Sequence, residues 1–190
     1  LREAALNPQY HGYSPFTGYS FLKEAICNFY QREYGVKIDP ETEVAVLFGG
    51  KTGLVEISQC LLNPGDIALV PDPGYPDYWS GIAMAKGQMY SMPLFIENRF
   101  LPDYERIPTE VLDKAKLMFL NYPNNPTGAI ATKEFFEDTV RLAEKHQIPV
   151  VHDFAYAQLG FDGYIPPSIL QVPGAKNISV EFTTMSKVYN

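Results

Sequence analysis

KLMFLNYPNNPTGAIATKEFFEDTVRLAEKHQIPVV, residues 116–151, decides the fold. It opens on an apolar run of strand length, KLMFL (116–120), and passes through a turn rich in asparagine and proline. A helical pattern follows over 133–146, and the stretch closes on a second apolar run, IPVV (148–151). Strand, helix and strand in succession read as a parallel pair joined by a crossover helix. The same kind of run recurs at VAVLF (44–48), IALV (67–70) and ISVEF (178–182), with helical patterns over 52–62 and 77–86 between them. Near the start, FLKEAICNFYQREY (21–34) sets Leu22, Ile26, Phe29 and Tyr30 at helical spacing, and Gly35 supplies a stop. The proline-rich span 92–108 reads as an excursion over the surface. The expected class is α/β: a three-layer α/β/α arrangement with a mainly parallel sheet, whose ligands collect at the carboxyl ends of the strands.

Composition narrows the function classes. With 190 residues, 46% of them apolar and 14% aromatic, the chain has enough core-forming material to exclude a disordered or small disulfide-stapled class. A formal charge of −7 and the lack of a long basic run speak against nucleic acid and anionic membranes as partners. Cys27 and Cys60 stand far apart without metal-ligand spacing and fall within helical patterns, so they read as reduced, buried packing residues of a cytoplasmic protein. No metal site is expected. No apolar run approaches a membrane span, and LREAALNPQY (1–10) lacks the order of a signal peptide. The sequence begins without methionine and stops at SKVYN, which reads as a fragment of a longer protein.

Four polar segments follow or precede the apolar runs where a ligand would be approached. NYPNNPTG (121–128) trails the first strand, and its bland reading is a turn. HDFAY (152–156) trails the second; an aspartate there is ordinarily a helix cap or an ion-pair partner. FGGKTG (48–53) is a glycine turn whose amides could cradle a phosphate, although it matches neither the Walker nor the dinucleotide spacing. TTMSKVYN (183–190) places Lys187 after three hydroxyl residues, and a lone lysine is normally surface. His11, His146 and His152 show no ligand spacing, so no catalytic histidine is assigned; His152 and Asp153 should face opposite sides of their strand.

In this order and at these separations, NNPTG, HDFAY and SKVYN resemble the class I and II aminotransferases of the pyridoxal-phosphate fold-type I group, over nearly the whole chain. The resemblance implies the large pyridoxal-phosphate-binding domain over residues 36–190, entered by an N-terminal segment over 1–35, with the C-terminal small domain absent. It makes Lys187 the Schiff-base lysine, Asp153 the partner of the pyridine nitrogen, and Asn125 and Tyr156 the partners of the ring hydroxyl. Tyr75 in PDPGYPDY (71–78) matches the aromatic that stacks on the ring, with Tyr78 and Trp79 as rivals. Gly50 and Lys51 would hold the phosphate, helped by the hydroxyls of Thr52, Thr184 and Ser186. In YSPFTG (13–18), Tyr13 matches a tyrosine that reaches the phosphate of a neighbouring subunit, which implies a homodimer with shared sites.

The implied function is transfer of an amino group between an L-amino acid and a 2-oxo acid, by ping-pong kinetics, with glutamate and 2-oxoglutarate as the expected pair. The wording of residues 161–187 is most similar to enzymes acting on alanine or L,L-diaminopimelate. The alternatives are a lyase or decarboxylase on the same scaffold, since the cofactor does not determine which substrate bond breaks, and an inactive truncated fragment.

Overall fold

Four of the five apolar runs are strands, and they form one parallel sheet with a fifth strand that the sequence pattern did not announce. In the computed structural model, which describes residues 2–189, the strands are β1 (Ile67–Asp72), β2 (Gln88–Pro93), β3 (Ala115–Asn121), β4 (Val150–Asp153) and β5 (Ser179–Phe182). Their order across the sheet is β2-β1-β3-β4-β5, and every adjacent pair is parallel. Contacts divide the chain into two units, residues 1–47 and 48–190, and the whole sheet lies in the second.

The second unit has three layers, and the side-chain alternation of the strands shows why. On one face Leu69, Met118, Leu120 and Val150 pack with Phe136, Val140 and Ala143 of the helix α6 (Lys133–His146). On the other, Ala68, Val70, Leu117, Phe119 and Val151 pack with Leu54 of α3 (Gly50–Leu61) and Tyr78 and Ile82 of α4 (Pro76–Met84). Successive strand residues point to opposite faces, so apolar residues throughout the central strands fill both cores. The layered α/β arrangement expected from the sequence is the one observed. Gly81 lets α4 lie against α3: a Cβ there would stand 2.7 Å from the Val55 carbonyl oxygen and 3.1 Å from Ser58 Oγ. The short helices α5 (Thr109–Leu112) and α7 (Ala175–Ile178) lead into β3 and β5.

The first unit holds α1 (Arg2–Leu6) and α2 (Ser20–Tyr34). Helix α2 gathers Phe29, Tyr30 and Tyr34 into one cluster, both tyrosines edge-on to Phe29, and ends, as its sequence suggested, at Gly35 with φ 68°. VAVLF (44–48), expected as a buried strand, is not one: among the described residues it pairs with no strand, and Ala45, Leu47 and Phe48 are exposed. Apolar, β-branched composition favours a strand only where a neighbouring backbone supplies the ladder. Val46 instead packs against the turn at Gly18, where a Cβ would lie 2.6 Å from Val46 Cγ2. Strand β2 escaped the sequence reading for the opposite reason. It is an edge strand with mostly exposed residues, so it carries no continuous apolar run. Cys60 is exposed on α3 rather than buried, and Cys27 is half-buried.

Candidate active site

Three strands deliver their last residues to one place. Asn121 ends β3, Asp153 ends β4 and Phe182 ends β5, and the register sets Asn121 beside Asp153 and Asp153 beside Phe182. Asn121 is the joint of this group. Its Nδ2 donates to the Asp153 carbonyl (2.8 Å), and its Oδ1 accepts from the Asn125 amide (2.8 Å). The asparagine-rich turn is thereby tied to the end of β4. From that turn Asn125 Nδ2 donates to the Tyr156 hydroxyl oxygen at 3.2 Å. The Tyr156 hydroxyl proton and the second Asn125 amide proton remain to donate elsewhere.

Asp153 is 6% exposed and points to the α3/α4 face. The Tyr78 hydroxyl donates to its Oδ2 at 2.7 Å, and the Ala155 amide donates to Oδ1 at 3.3 Å. Burial pushes the carboxyl above the usual aspartate value, with these two hydrogen bonds and the positive charge of Lys187 among the influences that pull the other way. Tyr78 was a rival candidate for stacking on a ligand; it belongs to the core instead. It is fully buried and stacked on Phe119 (4.6 Å between centroids, 15° between planes), and burial beside the Asp153 carboxylate drives its hydroxyl well above the usual tyrosine value. Trp79 faces outward from α4.

Tyr75 caps the N-terminus of α4, half-buried, with its ring 5.7 Å from Lys51 Nζ. The Tyr75 hydroxyl, then Asp77, favours the charged form of Lys51 and raises it above the ordinary lysine value. Gly49, with φ 110°, turns the chain into α3, and the amides of Gly50, Lys51 and Thr52 form the first turn of that helix, where backbone donors have no intrahelical acceptor. Thr184 comes to the same place, since a Cβ on Gly50 would stand 4.0 Å from Thr184 Cβ. The Thr184 hydroxyl caps the following turn by accepting from the Ser186 amide (3.2 Å), and that turn carries Lys187, whose Nζ lies 5.9 Å from the centre of the Tyr156 ring. Beside the Asn125 and Tyr156 pair opens a cavity of about 410 Å³, walled by Leu159, Phe161 and Tyr164.

The sequence-derived candidates of the second unit thus gather in two adjoining groups. One comprises Asp153, Asn125, Tyr156 and Lys187; the other comprises Gly50, Lys51, Thr52, Tyr75, Thr184 and Ser186. Tyr13 belongs to the first unit and is fully exposed. The sequence reading missed Asn121 altogether and missed the role of Tyr78 as the donor to Asp153. Tyr78 follows Tyr75 by three residues, so the helical period could have set it on the inward face; Asn121 is a lone polar residue closing an apolar strand.

A family model described as aminotransferase class I and II matches residues 1–190. The chain belongs to this family. Among its aminotransferase relatives, the "L-glutamine--4-(methylsulfanyl)-2-oxobutanoate aminotransferase" of Bacillus subtilis (strain 168) is 62% identical over 190 residues, covering 100% of this chain and 48% of the relative. The LL-diaminopimelate aminotransferase of Moorella thermoacetica is 50% identical over 186 residues, covering 98% of this chain and 48% of the relative. The substrate-bound structure of BacF from Bacillus subtilis superposes with a TM-score of 0.95 at 59% identity, over 100% of this chain and 48% of that one. The chain therefore spans about half the length of the curated relatives it matches. Among the described residues no helix is long and apolar enough to cross a membrane, and no cluster of three or more metal-ligating side chains is present.

Proposed function

We propose that the protein carrying this chain is an aminotransferase that moves an amino group between an L-amino acid and a 2-oxo acid, with pyridoxal 5'-phosphate held by Lys187. The observation that carries the reading is the meeting, at the ends of β3 and β4, of a buried carboxylate (Asp153), a linked pair with donors to spare (Asn125 and Tyr156) and a primary amine (Lys187). That set fits an aromatic ring bearing a cationic nitrogen, a phenolic oxygen and an aldehyde. When bound, the cofactor supplies an electron sink for negative charge developing at the substrate α-carbon.

The residues divide the remaining work. Asp153 binds the ring nitrogen and keeps it protonated, which requires the carboxylate to be ionised; a cation beside it counters the effect of burial. Asn125 and Tyr156 donate to the ring oxygen and favour its anionic form. Tyr75 covers one ring face, an offset contact worth about 0.5–1.5 kcal/mol beyond its area. The amides of Gly50, Lys51 and Thr52 bind the phosphate at the positive end of α3, with Thr184 and Ser186 offering hydroxyls beside them. Lys187 moves the proton from the substrate α-carbon. Its exposed position in the turn after Thr184 leaves the amine free to do so.

The names of the relatives support an amino acid and a 2-oxo acid as the substrate classes. We further place the protein in the cytoplasm, where its two free thiols stay reduced, and assign it a symmetric homodimer in which Tyr13 serves the neighbouring subunit's phosphate site. Reduction with borohydride after incubation with pyridoxal phosphate, followed by peptide mass mapping of the whole protein, tests the central assignment. A single adduct on Lys187 is expected; labelling at another lysine, or none, would overturn it.

A further inference from the structure

His152 precedes Asp153 in β4 but faces the opposite core, and its surroundings are unlike those of any other histidine in the chain. Its side chain is fully buried, gripped between the rings of Phe136 (4.9 Å) and Phe154 (4.7 Å). Nδ1 lies 2.7 Å from Glu181 Oε2, on the paired residue of β5, and Nε2 lies 2.9 Å from the Tyr122 carbonyl oxygen. Both ring nitrogens thus meet oxygen, so two protons occupy these two hydrogen bonds. Glu181 is itself 1% exposed and accepts from the Ser168 hydroxyl (3.0 and 2.9 Å) and the Ile169 amide (3.2 Å). Glu181 is thus held by three residues at once, and His152 is hydrogen-bonded at both ring nitrogens.

We infer that His152, anchored by Glu181, is a positioning residue that fixes the 121–128 turn and so places the Asn125 side chain for the ring oxygen. Tyr122 supplies the first carbonyl beyond β3, and its orientation sets the path of the chain through Pro123 towards Asn125. Beyond it the turn is held by the Asn124 amide on the Ala129 carbonyl, the Asn125 amide on Asn121 Oδ1 and the Gly128 amide on the Asn124 carbonyl, each at 2.8 Å. His152 therefore pins one end of the turn and Asn121 pins its middle. A buried polar pair costs desolvation that apolar residues of similar volume would avoid, and its best-attested use is to specify one arrangement. Here the arrangement specified is the junction of β4, β5 and the turn. The role given to Asn125 rests on the proposed cofactor reading; the restraint on the turn does not.

Residue-resolved hydrogen exchange on the whole protein separates the two. In His152→Phe, which fills the same space between the aromatic rings without either hydrogen bond, the amides of Asn124, Asn125, Thr127 and Gly128 should exchange about tenfold faster or more, the scale of a lost charge-assisted hydrogen bond. Exchange in the middle of β3 and β4 should stay within a few fold. Glu181→Gln lets an amide donate to Nδ1 while Nε2–H stays on Tyr122, so the turn should remain protected. If His152→Phe does not fold, His152→Asn, too short to reach Tyr122, is read the same way. Unchanged turn exchange, or equal loosening of turn and strands, overturns the inference. With pyridoxal phosphate bound, the pH midpoint of its absorbance should move in His152→Phe and return in Glu181→Gln; a midpoint that stays put in both overturns the placement of Asn125. A wild-type protein that takes up no cofactor sinks the proposed function, and the exchange data still decide the restraint on the turn.

Discussion

Two buried carboxylates stand one register position apart on neighbouring strands and live under different rules. Glu181, on the α6 side of the sheet, is met by an imidazole, a hydroxyl and a backbone amide. Asp153, on the α3/α4 side, receives one short hydrogen bond from Tyr78 and a longer one from Ala155, and burial lifts its carboxyl above the usual value. The difference separates frame from site. A carboxylate met by three residues of the chain holds them in one arrangement. One whose carboxyl is lifted by burial opposes folding where it is ionised, and under the proposed function a cationic ligand would offset that cost.

The site side of the comparison should show the largest effect on activity and almost none on stability. Lys187 is exposed, so Lys187→Ala should leave the denaturation midpoint where it was, while amino transfer by the whole protein falls about 10²–10⁴-fold, the range for loss of a positioned proton carrier. Steady-state transamination beside urea denaturation checks both halves. Retained activity would remove Lys187 from the site, and with it the contrast.

The frame side should behave in reverse. Glu181→Ala leaves His152 buried without its anchor and should cost about 3–5 kcal/mol of folding stability, as expected when one member of a buried pair is removed. Glu181→Gln should cost much less. Equal losses in the two variants, by equilibrium denaturation, would mean that packing at this position matters and hydrogen bonding does not. A smaller effect is expected where α4 meets α3. Gly81→Ala drives a methyl against the Val55 backbone, which cannot swing aside as a side chain would, and should cost about 1–3 kcal/mol.

The frame was plainest in the sequence where burial is complete; half-exposed β5 could still be read from ISVEF, but the exposed edge could not. Central strands β1, β3 and β4 are covered on both faces and advertise themselves as apolar runs; β2 at the edge, with its exposed QMYSMP, does not. The run at 44–48 misled for a related reason: composition records a taste for strand neighbours, and the described residues provide none. Of the site, the residues that follow strand ends could be picked out because the α/β architecture sends ligands there. The supporting contacts could not. That Tyr78 would turn inward to Asp153, that Asn121 would bridge strand and turn, and that His152 would reach across to Glu181 depend on register and helix placement, which one sequence does not specify residue by residue.

The smallest effect is the one that tests the comparison itself, because its sign is unusual. Asp153→Asn should disable the proposed chemistry yet stabilise the cofactor-free protein near neutral pH. Below the unfolded aspartate pKa of about 3.9 both states hold the proton and the group contributes no difference. As pH rises past that value the unfolded chain releases its proton first, because burial holds the folded carboxyl higher, and stability declines until the folded group has also ionised. The asparagine variant has no proton to release, and Tyr78 can turn its hydroxyl to accept from the new amide. The stability of the variant minus that of the wild type, followed by denaturation from pH 3 to 7, should therefore rise with pH and then level. Saturating pyridoxal phosphate should shrink this difference by stabilising the wild type, since a cation at Asp153 supplies the charge that the fold withholds. A difference flat across the range would mean that burial does not raise the Asp153 carboxyl, and would erase the distinction between frame and site.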